Sequence, residues 1–198
     1  MHKVDVGYAS QLLITDSEKE RAVFENAYVL LTDHVIDNFR DVLVVVEEAA
    51  KHGRPLLVLA RGFDGDVLPS LVTNHMRGIV KACAIALGTA KVEPGSDPDD
   101  ALRAVLAGVT EATGGRVVSK ELGMELKNTQ ASDLGQAAHV VVTEKVTLLS
   151  NDPIPEEDIP PVMTADEIAA RDRTMAEIEA KVRAEFEAKQ GTEGPGLG

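Results

Sequence analysis

The sequence predicts an α/β fold, a sheet core flanked by helices, followed by a linker and one amphipathic C-terminal helix. Three observations lead there. Tyr28–Thr32 and Leu56–Ala60 are short aliphatic runs of the unbroken kind found in strands buried on both faces. The stretch between them is long enough for a helix and ends at Gly53 and Pro55, residues that stop one. After Ser150 the composition turns to Pro and Glu, which marks the end of the packed region.

Taken in order, the elements are these. Asp37 is placed to cap a helix filling Phe39 to His52, which makes a strand–helix–strand unit with a right-handed crossover. The turn Gly62 to Gly65 leads into a second helix near Asp66. Pro69 falls in its first turn, where a missing N–H matters least, and the helix ends before Gly78. Ile79 to Leu87 reads as a further buried strand, and Gly88 to Asp100 as a loop of Gly, Pro, Ser and Asp. Ala101 to Ala112 is helical up to Gly114 and Gly115, and Val117 and Val118 begin a strand. Asp133 caps a short turn before a strand at His139–Thr143, and Thr147–Leu149 closes the region. The organisation is a domain over 1–150, a Pro/Glu-rich linker over 151–163, a helix over 164–189 and a disordered tail over 190–198. Thr164 and Glu167 form a capping box. Ile168, Met175, Ile178, Val182 and Phe186 then follow at helical spacing.

Composition narrows the function. Of 198 residues 44 % are hydrophobic but only 3 % aromatic, with no Trp, so the core is aliphatic. The net charge is −13, which excludes the clustered cations that hold a nucleic-acid backbone or an anionic membrane. Residues 151–198 hold 12 acidic and 5 basic residues, so −7 of that charge lies there. One cysteine, Cys83, forms no internal disulfide and fits a reducing compartment. It stands in the apolar run Ala82 to Leu87 as a small hydrophobe. Neither a signal peptide nor a membrane-length apolar run is present, so a soluble cytoplasmic protein is expected.

The first helix is unusual. Val42 to Val46 is apolar on every side, more than a one-faced surface helix requires. Phe39, Val42, Val45 and Ala49 form one stripe, and Leu43, Val46 and Ala50 form a second. The second stripe either packs against a further element or lies open as a binding surface.

Several strings decide between these readings by resemblance. His2 to Ser10 carries an Asp, a Gly-Tyr pair and a Ser. Asn74 to Lys81 reads Asn-His-Met-Arg-Gly-Ile-Val-Lys. Thr113-Gly-Gly, Gly123-Met-Glu-Leu and Asp133-Leu-Gly-Gln follow in order. From about His2 to Asn151 the chain resembles the apical, polypeptide-binding domain of group I chaperonins of the GroEL type. The resemblance implies a GroEL apical-domain-like sheet core and an apolar groove between two parallel helices and a nearby segment. Its residues would be Tyr8, Leu12 and Leu13 in the segment, Leu43, Val46 and Ala50 on the first helix, and Leu68, Val72 and Thr73 on the second.

The implied function is binding of unfolded or partly folded polypeptides to assist folding, with a co-chaperonin mobile loop as a further partner. Two departures stand out. An acidic stretch, Ala86 to Asp100, replaces the family's Lys-Ala-Pro-Gly-Phe-Gly-Asp-Arg-Arg string, and Leu12 and Leu13 stand where aromatics are usual. The ATP-binding equatorial domain has no counterpart here, nor does a phosphate-binding loop. No ATPase activity, no cofactor, and a monomer or weak self-association are therefore expected.

No other chemistry is expected. The five histidines, His2, His34, His52, His75 and His139, lack ligand spacing for a metal. Asp97 to Asp100 lacks the pattern of a calcium loop, and no serine stands in a nucleophile elbow. No catalytic residue is assigned. The alternative reading is a structural or interaction module that keeps the apical fold and pairs through its C-terminal helix.

Overall fold

The structure, a computed structural model, describes residues 1–90 and 95–160. The expected helix over 164–189, the tail over 190–198 and the end of the linker lie outside the described residues. One compact unit runs from Met1 to Pro160.

Its main sheet is built from β1 (His2–Val4), β2 (Ala22–Thr32), β4 (Leu56–Ala60), β6 (Ala82–Ala86), β7 (Val117–Val118), β8 (Gly135–Val142) and β9 (Thr147–Ser150). The order is β1-β9-β8-β2-β4-β6, with β7 continuing alongside β2. β2, β4 and β6 run parallel, with Tyr28 opposite Leu56 and Leu57 opposite Cys83. β8, β9 and β1 add antiparallel neighbours, so the sheet is mixed. Every residue of β4 is fully buried, which requires cover on both faces of this central strand. The expected strand–helix–strand unit is present, with α1 (Arg40–His52) joining β2 to β4. α2 (Val67–Met76) packs on β6, and α3 (Pro98–Thr113) packs across β1, β2, β8 and β9.

A small parallel pair, β3 (Val35–Ile36) with β5 (Gly62–Phe63), precedes α1 and α2 respectively. It starts both helices from one place. Asp37 does not cap α1. Its backbone is pressed against the turn before α2, where a Cβ on Gly65 (φ +59°) would sit 2.4 Å from the Asp37 carbonyl oxygen. Capping falls to the neighbours instead. Asn38 Oδ1 accepts from the Arg40 N–H at 3.0 Å, and Asp66 Oδ1 accepts from the Phe39 N–H at 3.1 Å.

Other boundaries moved for similar local reasons. The strand expected from Ile79 starts at Ala82, because the amides of Gly78 and Ile79 turn back to the carbonyls of His75 and Asn74 and close α2. α3 begins inside the expected loop. Asp97 caps it by accepting from the Asp99 N–H at 2.8 Å, and Pro98 takes the first turn, a position that needs no donor. β8 begins four residues before the expected His139. Residues 151–160 lie along the sheet's own strands, with Ile154 and Ile159 packed on Val141, Val146 and Leu148. Glu156 there accepts hydrogen bonds from Lys19 at 2.6 Å and from Arg21 at 3.0 and 3.2 Å.

Candidate functional site

α1 joins β2 to β4 and α2 joins β4 to β6, successive parallel strands of the sheet. The Phe39–Asp66 bond ties the starts of the two helices. At the other end, Ala49 and Ala50 from α1 and Gly78 to Lys81 after α2 line one cavity. A 3-10 turn, Gln11–Leu13, lies against α2 and β6, with its Leu12 N–H held by the Ser10 hydroxyl. The segment named from sequence thus lies against α2, and α1 meets the start of α2 through the Phe39–Asp66 bond.

Within that frame the nine residues fare differently. Leu12 (61 % exposed) and Leu43 (37 %) are open to solvent. Thr73 is also exposed, but its hydroxyl donates to the Pro69 carbonyl at 2.8 Å. Tyr8, Ala50, Leu68 and Val72 are half-buried against the core. Tyr8 and Leu68 share a cavity of about 310 Å3 with Phe63, Ala86 and Thr89. Leu13 (0 %) and Val46 (3 %) are closed off by the chain's own packing. The second stripe of α1 is therefore split, since Val46 joins Val42, Val45 and Ala49 in the core while Leu43 stays outside. Sequence reasoning missed Val44, 46 % exposed beside Leu43. The all-round apolar run that contains it was the available signal. Exposed Met76 and Ile79 at the end of α2 were missed too, being read as helix end and buried strand.

Electrostatics add little chemistry. Partial burial first, then the carboxylates of Glu144 and Glu20, raises the Tyr8 phenol above its usual range, so it is a neutral O–H donor near pH 7. Burial pushes the Cys83 thiol up to about 12. Among the described residues no group of three His, Cys, Asp or Glu side chains is placed to hold a metal ion. None of their helices is long and apolar enough to cross a membrane. The face has what non-covalent binding of an apolar chain needs: aliphatic surface with few fixed polar partners.

No family model matches the sequence. Among solved structures, the fold is similar to the chaperonin gp146 from the bacteriophage EL 2 (Pseudomonas aeruginosa), crystallised in the presence of ATP-BeFx. The TM-score is 0.54 at 14 % identity, over 89 % of this chain and 32 % of the phage protein. The chain thus spans about a third of that chaperonin's length. Its fold, a central mixed sheet with helices, is chaperonin-like.

Proposed function

We propose that this chain is a chaperonin-like polypeptide-binding module that holds non-native segments on the face formed by α1, α2 and the Gln11–Leu13 turn. The observation that carries this is the pairing of exposed Leu12, Leu43 and Val44 with half-buried Leu68 and Val72 on adjoining elements. Apolar surface of this kind gathers where a partner covers it. Burial of a client's side chains gains about 25 cal/mol per Å2 of apolar area, offset by the ordering of a flexible chain. Weak, promiscuous affinity follows, because aliphatic contacts impose no hydrogen-bond pattern. The contacts centre on Leu12, Leu43, Leu68 and Val72, with Tyr8, Ala50 and Thr73 at the margins. Leu13 and Val46 support the face from beneath. Binding in this reading needs no nucleotide, and this polypeptide hydrolyses none. A co-chaperonin-type mobile loop would compete for the same face.

The test is a titration, without nucleotide, with a labelled unfolded polypeptide, comparing the parent chain with the double substitution Leu43→Glu and Leu68→Glu. Circular dichroism first establishes that both are folded. Saturable binding is expected for the parent and not for the variant. Equal binding by both, or by neither, overturns the proposal.

A further inference from the structure

His75, in the last turn of α2, has one ring nitrogen committed to the fold and the other left over. Successive residues step round a helix by about 100°, which sets His75 between two stripes. Val67 and Leu71 on one side are fully buried, while Leu68 and Val72 on the other are half-buried at the candidate face. His75 itself is half-buried.

The committed nitrogen is Nδ1. β6 is the last strand in the order of the sheet and, among the described residues, pairs with β4 alone. On its other edge the Ala84 C=O accepts from the Ala9 N–H at 2.7 Å. The Ala82 N–H donates to His75 Nδ1 at 3.1 Å. A backbone N–H can only donate, so Nδ1 is an acceptor and carries no proton. In a neutral imidazole the proton then sits on Nε2. The fold thus selects one tautomer, and the tautomer fixes a donor.

Nothing in the described fold consumes that donor. The neighbouring polar side chains of α2 are bonded back to the helix, Thr73 to the Pro69 carbonyl and Asn74 to the Ser70 carbonyl, each at 2.8 Å. Nε2 of His75 has no hydrogen-bond partner among the described residues. Nor is it one of the enclosed side-chain atoms without a partner, which are Arg21 Nε and Thr129 Oγ1. The ring nitrogens point away from each other, so with Nδ1 turned to the strand edge the Nε2–H faces outward, at the margin of the Leu68–Val72 stripe.

We propose that the His75 Nε2–H donates a hydrogen bond to a backbone carbonyl of the polypeptide held on this face. The inference rests on the proposed polypeptide binding and names one polar contact within it. A neutral donor suits a neutral acceptor, and every client carries carbonyls whatever its side chains. One fixed donor beside aliphatic contacts sets where the bound backbone lies without selecting its sequence.

Two substitutions separate this role from a structural one. In His75→Asn the side-chain oxygen stands where Nδ1 stood and keeps the Ala82 bond, but no N–H reaches the place of Nε2. In His75→Gln an amide N–H reaches that place, while the Ala82 bond is lost. Thermal melting should rank the parent and His75→Asn above His75→Gln. Affinity for a labelled, end-blocked peptide of leucine and serine is read by fluorescence anisotropy on the full chain. It should rank the parent first, His75→Gln second and His75→Asn last, with about a three- to tenfold loss in His75→Asn, one neutral hydrogen bond. A purely structural histidine puts both measurements in the same order, and that result overturns the proposal. So does a nitrogen NMR spectrum of the ring at about pH 8, where free imidazole is neutral, that places the His75 proton on Nδ1. Parent-like affinity in folded His75→Asn overturns this proposal alone. No binding by the parent overturns the polypeptide-binding reading and this proposal with it.

Discussion

Two neighbours on one helix should respond very unequally to the same substitution. Val46 and Leu43 lie one turn apart on α1, yet Val46 is 3 % exposed and Leu43 37 %. In Leu43→Glu, the carboxylate can stay in water. The loss is the part of the leucine's burial that is real, about 1–2 kcal/mol of the roughly 1.5–3 kcal/mol for a fully buried side chain. In Val46→Glu, a charge must enter the aliphatic layer shared with Val42, Val45 and Ala49, or the helix must lift off. An uncompensated buried charge costs several kcal/mol, against a total stability of about 5–15 kcal/mol for a domain. At about 2–4 °C per kcal/mol for a unit of this size, Leu43→Glu should melt a few degrees below the parent. Val46→Glu should melt at least about 10 °C below it or fail to fold. A carboxyl held in the core has its pKa raised, so the folded state binds the proton more tightly than the unfolded chain does. The Val46→Glu deficit should accordingly shrink as pH falls. Thermal melts followed by circular dichroism at two pH values decide the matter. If Val46→Glu melts with Leu43→Glu, Val46 faces solvent and the core boundary drawn through α1 is wrong.

Two further outcomes follow from the same packing. Hydrogen bonds from Lys19 first and Arg21 second hold the Glu156 carboxyl below its usual value. That contribution is complete above the ordinary carboxylate range and is lost as pH falls through the lowered value. Amide protection in residues 151–160, taken relative to the intrinsic rate at each pH, should therefore fall on acidification, and Glu156→Gln should lower it already at neutral pH. Protection indifferent to both would mean that Ile154 and Ile159 hold the segment unaided. With its thiol at about 12, Cys83 is thiolate in roughly one molecule in ten thousand at pH 8. A thiol reagent should label the folded chain about a thousandfold more slowly than it labels a free cysteine, and reach the free rate only through the urea transition. Rapid labelling without urea would mean that the layer covering the Cys83 side of β6 opens in the folded state.

The parts of the fold legible in the sequence are those fixed by neighbours along the chain. The β2–β4 pairing was readable because two all-aliphatic runs flank a helix that Gly53 ends. The start of α3 was also within reach, since Asp97 followed by Pro98 is a cap with proline in the first turn, but the acidic run around it favoured a loop. Elements set by distant partners were not readable. β1 is three mostly polar residues made a strand by β9, and the first half of β2 alternates until β8 pairs with it. Asp66 serves the Phe39 amide, which no local pattern announces. The same division runs through the candidate site. That α1 had too much apolar surface was visible, but whether Leu43 or Val46 faces out depends on how the helix sits on the sheet. Burial of Leu13 beside exposed Leu12 is a tertiary outcome as well.

The pairing of β1 with β9 has a mechanical side. His2 faces Leu149 across adjacent strands, so the first and last strands of the sheet lie about one strand spacing, roughly 5 Å, apart. Pulling these two strands apart loads their three paired residues directly, while the aliphatic sheet behind them keeps its shape. The same proximity lets a bridge from β9 back to β1 be short, with the chain reopened at an exposed turn such as that at Leu122. Such a rearranged polypeptide should retain the same strand order.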